Sequence, residues 1–306
     1  MYRFRDMKKY LFLIALWLAF LIPDLAQAAA RFAVCTTTCT WDNTSTAMWS
    51  TTSGGGTGAS APTSADDVTL DAATCVGGTT CTITTFAGTI SIKSLTQSAC
   101  TASTSGCILE SSTNNTNFTI VDSYTNTGSG TRTLNMGTGT WTITSNSGLW
   151  NIASSMTLSA ASSTIAFSVG GNTRQFVGAN KTYGTLSVTG ASGGLFGVLG
   201  NNTIGTLTVS SPIKLRFQSG SNNTITTFTN TTGAGATPIL VYGDGGVATI
   251  TSANNWTCTW CGFFYTTFTG GGTFTGTNSL NFGDNTGITI TAPSAGGAGG
   301  GRIIGG

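Results

Sequence analysis

GTLSV at residues 184–188 returns almost letter for letter as GTLTV at residues 205–209, twenty-one residues later. In both phrases polar and apolar residues alternate with period two, the pattern of a strand that buries one side and shows the other to solvent. Moving outward from this pair, a Thr followed by an apolar residue begins similar short runs at Thr133-Leu134, Thr157-Leu158, Thr185-Leu186, Thr206-Leu207, Thr227-Phe228, Thr249-Ile250 and Thr273-Phe274, at steps of 24, 28, 21, 21, 22 and 24. No stretch between them carries a 3.6-residue period. Short strands that return every twenty-odd residues without helices are what one coil of a parallel β-solenoid requires. The expected fold is therefore all-β, a single-stranded parallel β-helix of about ten coils stacked about 4.8 Å apart. A β-sandwich with regular turns is the alternative.

Composition agrees with this reading. The chain holds 43 Gly and only 7% charged residues, with Thr, Ser and Asn abundant throughout. β-Branched Thr suits the outer side of a pleated surface, and Gly and Asn suit turns.

The ends divide the chain. Residues 1–28 read as a signal peptide: a basic head (Arg3, Arg5, Lys8, Lys9), an apolar run from Leu11 to Ile22, Pro23, and Ala26-Gln27-Ala28 before the cut. That run of twelve is shorter than the roughly 20 helical residues a bilayer crossing needs. The expected organisation is a leader (1–28), an N-terminal cap (29–66), the solenoid (67–292) and a flexible Gly-rich tail (293–306). No membrane span is expected after leader cleavage, and the protein is expected outside the cytoplasm: extracellular, on a cell surface or on a virion. Beyond the leader, eight basic residues balance eight acidic ones. Such a surface gives no reason to expect nucleic acid as a partner. In an oxidising compartment Cys35, Cys39, Cys75, Cys81, Cys100, Cys107, Cys258 and Cys261 are expected as disulfides. Cys75–Cys81 and Cys100–Cys107 would close loops, and Cys75–Cys100 with Cys81–Cys107 would bridge coils. Spacing does not choose between them. Cys258-Thr-Trp-Cys261 reads as a structural disulfide that needs a turn between its cysteines.

Three stretches resemble one family: TWDNTSTAMWSTTSGGGTGASAPTSADDVTLDAA (40–73), RTLNMGTGTWTIT (132–144) and NWTCTWCGFFYTTFTGGGTFTGTNSLNFGDNTGITI (255–290). They are similar to the Thr/Gly-rich β-helical proteins of tailed bacteriophages and bacterial surfaces. The resemblance covers most of the chain after the leader, by composition more than by chemical motif. It implies a β-helical protein that is virion-associated, as in a tail fibre, or secreted, usually without an assigned activity. The leader departs from the pattern of proteins assembled into virions in the cytoplasm.

The sequence contains no His. Ser-His-Asp and Cys-His nucleophiles and His-ligated metals are therefore excluded, and no cofactor is expected. Carboxylates remain. Asp244 and Asp284 are the candidate acid pair of a polysaccharide hydrolase or lyase, and turn residues explain them equally well. Asp66, Asp67 and Asp71 are the candidate oxygen ligands of a cation. On one strand, however, Asp67 and Asp71 would stand about 13 Å apart, and solvated edge charges are the plain alternative.

Two features are candidates for ligand binding. Arg132, Arg174 and Arg216 are spaced by 42 and 42, which at 21 residues per coil predicts a stripe on one side of the column, suited to acidic cell-surface polysaccharide. Trp256, Trp260 and Tyr265, with Phe263 and Phe264, form an aromatic cluster able to stack on sugar rings or to fill the core. The first functional expectation is thus a non-catalytic structural or adhesive β-helix that binds surface polysaccharide or other virion or surface proteins. A polysaccharide-degrading β-helix is the second. Ice binding is the third, suggested by Thr206-Leu-Thr208, Thr224-Ile-Thr226, Thr249-Ile-Thr251 and Thr289-Ile-Thr291. The intervals of 18, 25 and 40 between these four keep no common register, which argues against their forming one flat array.

Overall fold

The computed structural model describes residues 29–77, 80–98, 106–128, 130–190, 193–210, 212–231 and 238–293. The expected leader, Cys100 and the tail from residue 294 onward lie outside the described residues. Among the described residues every regular element is a strand, and none forms a helix long and apolar enough to cross a membrane. The strands pair in parallel as a β-solenoid of about seven turns, fewer than the ten expected.

The repeated phrase lies directly on itself. In strands Thr182–Gly190, Thr203–Ser210 and Asn222–Thr231, Thr185 pairs with Thr206 and Thr206 with Thr227, while Leu186 pairs with Leu207 and Leu207 with Phe228. Each strand also turns a corner. Tyr183 and Leu186 are both buried although three residues apart, so strict alternation breaks at Gly184. The backbone there runs tightly over the turn below: a Cβ on Gly184 would sit 2.6 Å from the carbonyl oxygen of Ser163, and one on Gly205 would sit 2.7 Å from that of Gly184. Only glycine fits, which is why Gly opens each phrase.

Three faces result. On the first, outward positions stack as Thr140–Thr164–Thr185–Thr206–Thr227 and inward ones as Ile120–Ile143–Phe167–Val188–Val209. On the second, the outward column runs Ser123–Leu149–Gln175–Gly197–Arg216–Tyr242–Phe264. The third holds Cys81–Thr85, Cys107–Glu110 and Arg132–Asn135 and continues through Thr182–Thr203–Thr224–Thr251–Thr269. Inward side chains form one continuous core. Burial of each contributes about 1.5–3 kcal/mol, so stacked turns offset an ordering cost that a single turn could not.

The registers also show which steps in the sequence are true turns. Thr133 pairs with Thr157 on the third face, and Thr185, Thr206 and Thr227 stack on the first. Thr157 and Thr185 do not pair, because Thr185 lies over Thr164, and Thr249 lies over Asn222, not Thr227. The same Thr-apolar alternation occurs on every face, so the phrase alone does not say which face it occupies.

At the N-terminal end Ala30–Ala33 and Thr38–Trp41 pair in parallel with Asp67–Leu70 and Cys81–Thr85. Trp49–Ser50 folds back antiparallel on Phe32 and Ala33. Trp41 and Trp49 meet edge to face at 4.9 Å and close the core. At the other end Trp256–Thr259, Phe274–Thr277 and Thr289–Ile290 form a separate three-stranded parallel sheet. Phe228 stacks on Trp256 at 4.4 Å, joining it to the inner column of the first face.

Disulfides link Cys35–Cys39, Cys75–Cys81 and Cys258–Cys261, with Cα atoms 5.8, 5.4 and 5.9 Å apart. Cys107 is disulfide-bonded as well. Cys75 and Cys81 bond to each other, which excludes the coil-bridging pairs Cys75–Cys100 and Cys81–Cys107, although Cys81 and Cys107 are register partners. The turn needed between Cys258 and Cys261 is supplied by Trp260, whose φ of 59° lies in the left-handed region.

Candidate functional site

The second face is where the solenoid departs from threonine. Strands Ile213–Gln218 and Ile239–Asp244 bury alternate residues and turn Lys214, Arg216, Leu240, Tyr242 and Asp244 outward, and Cys261–Phe264 buries all but Phe264. Arg216 pairs in register with Gly197 on one side and Tyr242 on the other. Its guanidinium lies over Gly197, where a Cβ would stand 3.4 Å from Nη2. Its Nη1 forms an ion pair with Asp244 Oδ2 at 3.2 Å. The Asp244 side chain is half exposed, so the pair adds little to stability and holds two polar groups in place at the surface.

Aromatic rings flank this pair. Tyr242 stands beside it on the strand, and Phe264 follows in the next layer. Phe264 and Tyr265 meet at 3.9 Å with their planes tilted by 39°. Tyr265 has a φ of 52°, and with Trp260 it brackets strand Cys261–Phe264. Large side chains in this backbone region are rare outliers, and such strain concentrates where a side chain must be aimed. Phe282, 47% exposed, lies across Gly262, where a Cβ would come within 2.6 Å of its ring. Partial burial pushes the Tyr242 phenol above its usual range; Arg216 pulls it back and Asp244 adds to the rise. The phenol therefore stays protonated and able to donate at neutral pH. The arrangement is an open strip of rings around the Arg216–Asp244 pair, with Lys214 exposed on the same face.

Of the expected arginine stripe only Arg216 reaches the surface. Arg132 and Arg174 are buried, at 0% and 1% exposure. Arg132 donates to the carbonyls of Thr127 and Gly128 and to Ser155 Oγ. Arg174 donates to Ser145 O at 2.6 Å and Asn146 Oδ1 at 3.2 Å. Burial lowers the pKa of both from the usual arginine value. Both cations hold turns from inside, and the 42-residue spacing placed them on different faces because early turns are longer than 21 residues. Trp256 is also core, packed against Phe228, Phe268 and Phe274. Trp260 sits half-buried at the corner, and Tyr265 joins the strip.

The carboxylates do not gather. Asp66 accepts from the Ala29 and Thr63 amides and the Thr63 hydroxyl. Asp67 accepts from Lys93 Nζ at 3.1 Å and Ser94 Oγ at 2.6 Å. Asp71 caps its own turn through Ala73 N. Among the described residues the one group of three candidate metal ligands is Cys75, Cys81 and Cys107, all of them disulfide-bonded. Asp244 is held by Arg216, and Asp284 sits exposed in a left-handed turn with a φ of 54°.

Comparison with protein-family models, curated proteins and solved structures finds no match to this chain. Sequence reading missed Lys214, Tyr242 and Phe282 as members of the strip. The available signal was the alternation in IKLRFQ and ILVYGD, which puts Arg216 and Tyr242 on outward positions of successive turns.

Proposed function

We propose that this protein is a non-catalytic, exported structural or adhesive β-solenoid of a cell or virion surface, and that its second face holds a cell-surface polysaccharide. The observation that carries the reading is the strip of Tyr242, Phe264, Tyr265 and Phe282 around the Arg216–Asp244 pair. Ring faces stack on the C–H faces of sugars, the guanidinium donates to hydroxyl or uronate oxygens, and the carboxylate accepts from hydroxyls. An open strip running along the column axis suits a polymer lying across successive turns better than a small molecule needing enclosure. The leader and the disulfides support export. The lack of His and the solvent exposure of Asp244 and Asp284 support binding without cleavage.

A glycan array on the purified protein tests this, followed by titration of the best polysaccharide. Tyr242→Ala and Phe264→Ala should each weaken binding at least tenfold, with no oligosaccharide released. Binding unchanged in both variants would remove the second face as the site. Release that disappears in Asp244→Ala or Asp284→Ala would make the protein an enzyme.

A further inference from the structure

The first face differs from the second in chemistry and regularity. Its outward residues form a grid. One column is Thr140, Thr164, Thr185, Thr206 and Thr227, and the next, two residues along each strand, is Thr142, Ala166, Ser187, Thr208 and Thr229. Rows repeat at about 4.8 Å and columns at about 6.7 Å by strand geometry. No charged or aromatic side chain stands outward within this grid. The four Thr-x-Thr units singled out in the sequence do divide, with Thr206 and Thr208 on the first face, Thr224, Thr249 and Thr251 on the third, and Thr289 in the separate three-stranded sheet. The grid is built by other triplets, hidden in sequence because Ala166 and Ser187 interrupt the Thr-x-Thr pattern.

The hydroxyls are also free. Thr251 bonds Thr269, Thr257 bonds Thr275 and Thr259 bonds Thr277 through their side chains, at 2.8–3.1 Å. The grid threonines, half-buried or exposed, make no such side-chain bonds to one another. β-Branched Thr is stiff at χ1, and identical neighbours above and below restrict it further. The grid thus presents hydroxyls and methyls at fixed repeats with little rotamer freedom left to lose.

We propose that this face binds ice. A rigid two-dimensional array of uncharged donor-acceptor groups is complementary to a partner that repeats in two dimensions. Ice offers a water lattice in which every site donates and accepts. A crystalline glycan would also repeat, but its sugar faces call for the aromatic rings that this face lacks and the second face has. The proposal is independent of the polysaccharide reading.

The test is thermal hysteresis and ice-crystal shaping by the purified protein, with Thr206→Tyr/Thr208→Tyr, Thr229→Tyr and Tyr242→Ala as variants. Hysteresis should be measurable in the wild type and fall at least fivefold in Thr206→Tyr/Thr208→Tyr at unchanged melting temperature. Tyr242→Ala should keep it. If the double variant does not fold, the exposed edge variant Thr229→Tyr carries the same expectation. No hysteresis in the wild type, or hysteresis indifferent to the grid variants, overturns the proposal. Retention on crystalline cellulose or chitin that the grid variants abolish, without any effect on ice, overturns it in favour of a glycan lattice.

Discussion

Arg132 stands in register on Cys107, which itself stands on Cys81. At this edge of the third face Cys81 is bonded to Cys75 and Cys107 is disulfide-bonded as well, and in the next layer a buried guanidinium takes over. It ties the approaching chain through the carbonyls of Thr127 and Gly128 and reaches Ser155 in the layer above. A charged donor with two carbonyl partners and one hydroxyl thus does the work of a covalent link.

Arg132→Ala leaves those carbonyls without donors and a hole in the core. The expected loss is about 2–4 kcal/mol, read as a lower denaturant midpoint, with Arg132→Lys intermediate because a single ammonium reaches fewer partners. A midpoint unchanged in Arg132→Ala would show that the guanidinium is dispensable.

Gly184→Ala should destabilise by about 1–3 kcal/mol, because its methyl meets the Ser163 carbonyl and the corner must open. Gly56, with nothing within 4 Å of a Cβ, is the control. Gly56→Ala should leave the melting temperature within error, and equal effects at both sites would refute the corner argument.

Removing the Cys75–Cys81 bond with paired Ser substitutions should cost about 2 kcal/mol, the loop-closure value for so short a ring. Proteolysis near residues 75–81 should quicken before the rest of the column loosens. A global loss of structure would instead mean that this bond nucleates the fold.

The pH profile follows from four groups. Asp42 is held below the ordinary carboxylate range by the Ser45 and Thr44 amides. Burial tends to raise Glu110, but donors from Ser112, Asn135 and Thr113 outweigh it and lower it overall. Depressed carboxylates stabilise above their unfolded pKa of about 4 and lose that contribution as pH falls through the folded value. Tyr124 and Tyr183 are shifted the other way, raised chiefly by burial. Their contribution is complete below the unfolded value of about 10 and is lost as pH rises beyond it. Melting temperature should therefore hold level between about pH 5 and 9 and drop on both sides, the acid drop shrinking in Asp42→Asn. A profile that keeps falling between pH 9 and 5 would contradict this.

The alternation in GTLSV and GTLTV, the step of 21 and the lack of helical periods were enough to read a parallel β-solenoid, because strand pleating and coil stacking are local rules applied repeatedly. Cysteine spacing left intra-turn and inter-turn bonds open, and so did the register, which stacks Cys81 on Cys107; only the loop that brings Cys75 to Cys81 separated them. The same limit applied to the arginines. Arg132, Arg174 and Arg216 look alike in sequence, but whether a side chain points in or out depends on corner positions and on turns longer than 21 residues. A one-residue change of phase reverses the face. The threonine grid was equally out of reach, since its rows are interrupted in sequence by Ala166 and Ser187 and come together only where successive turns align. Composition and period thus determined what kind of column this chain builds. The accumulated register of its turns, a property of the whole stack, decided which residues that column shows to the outside.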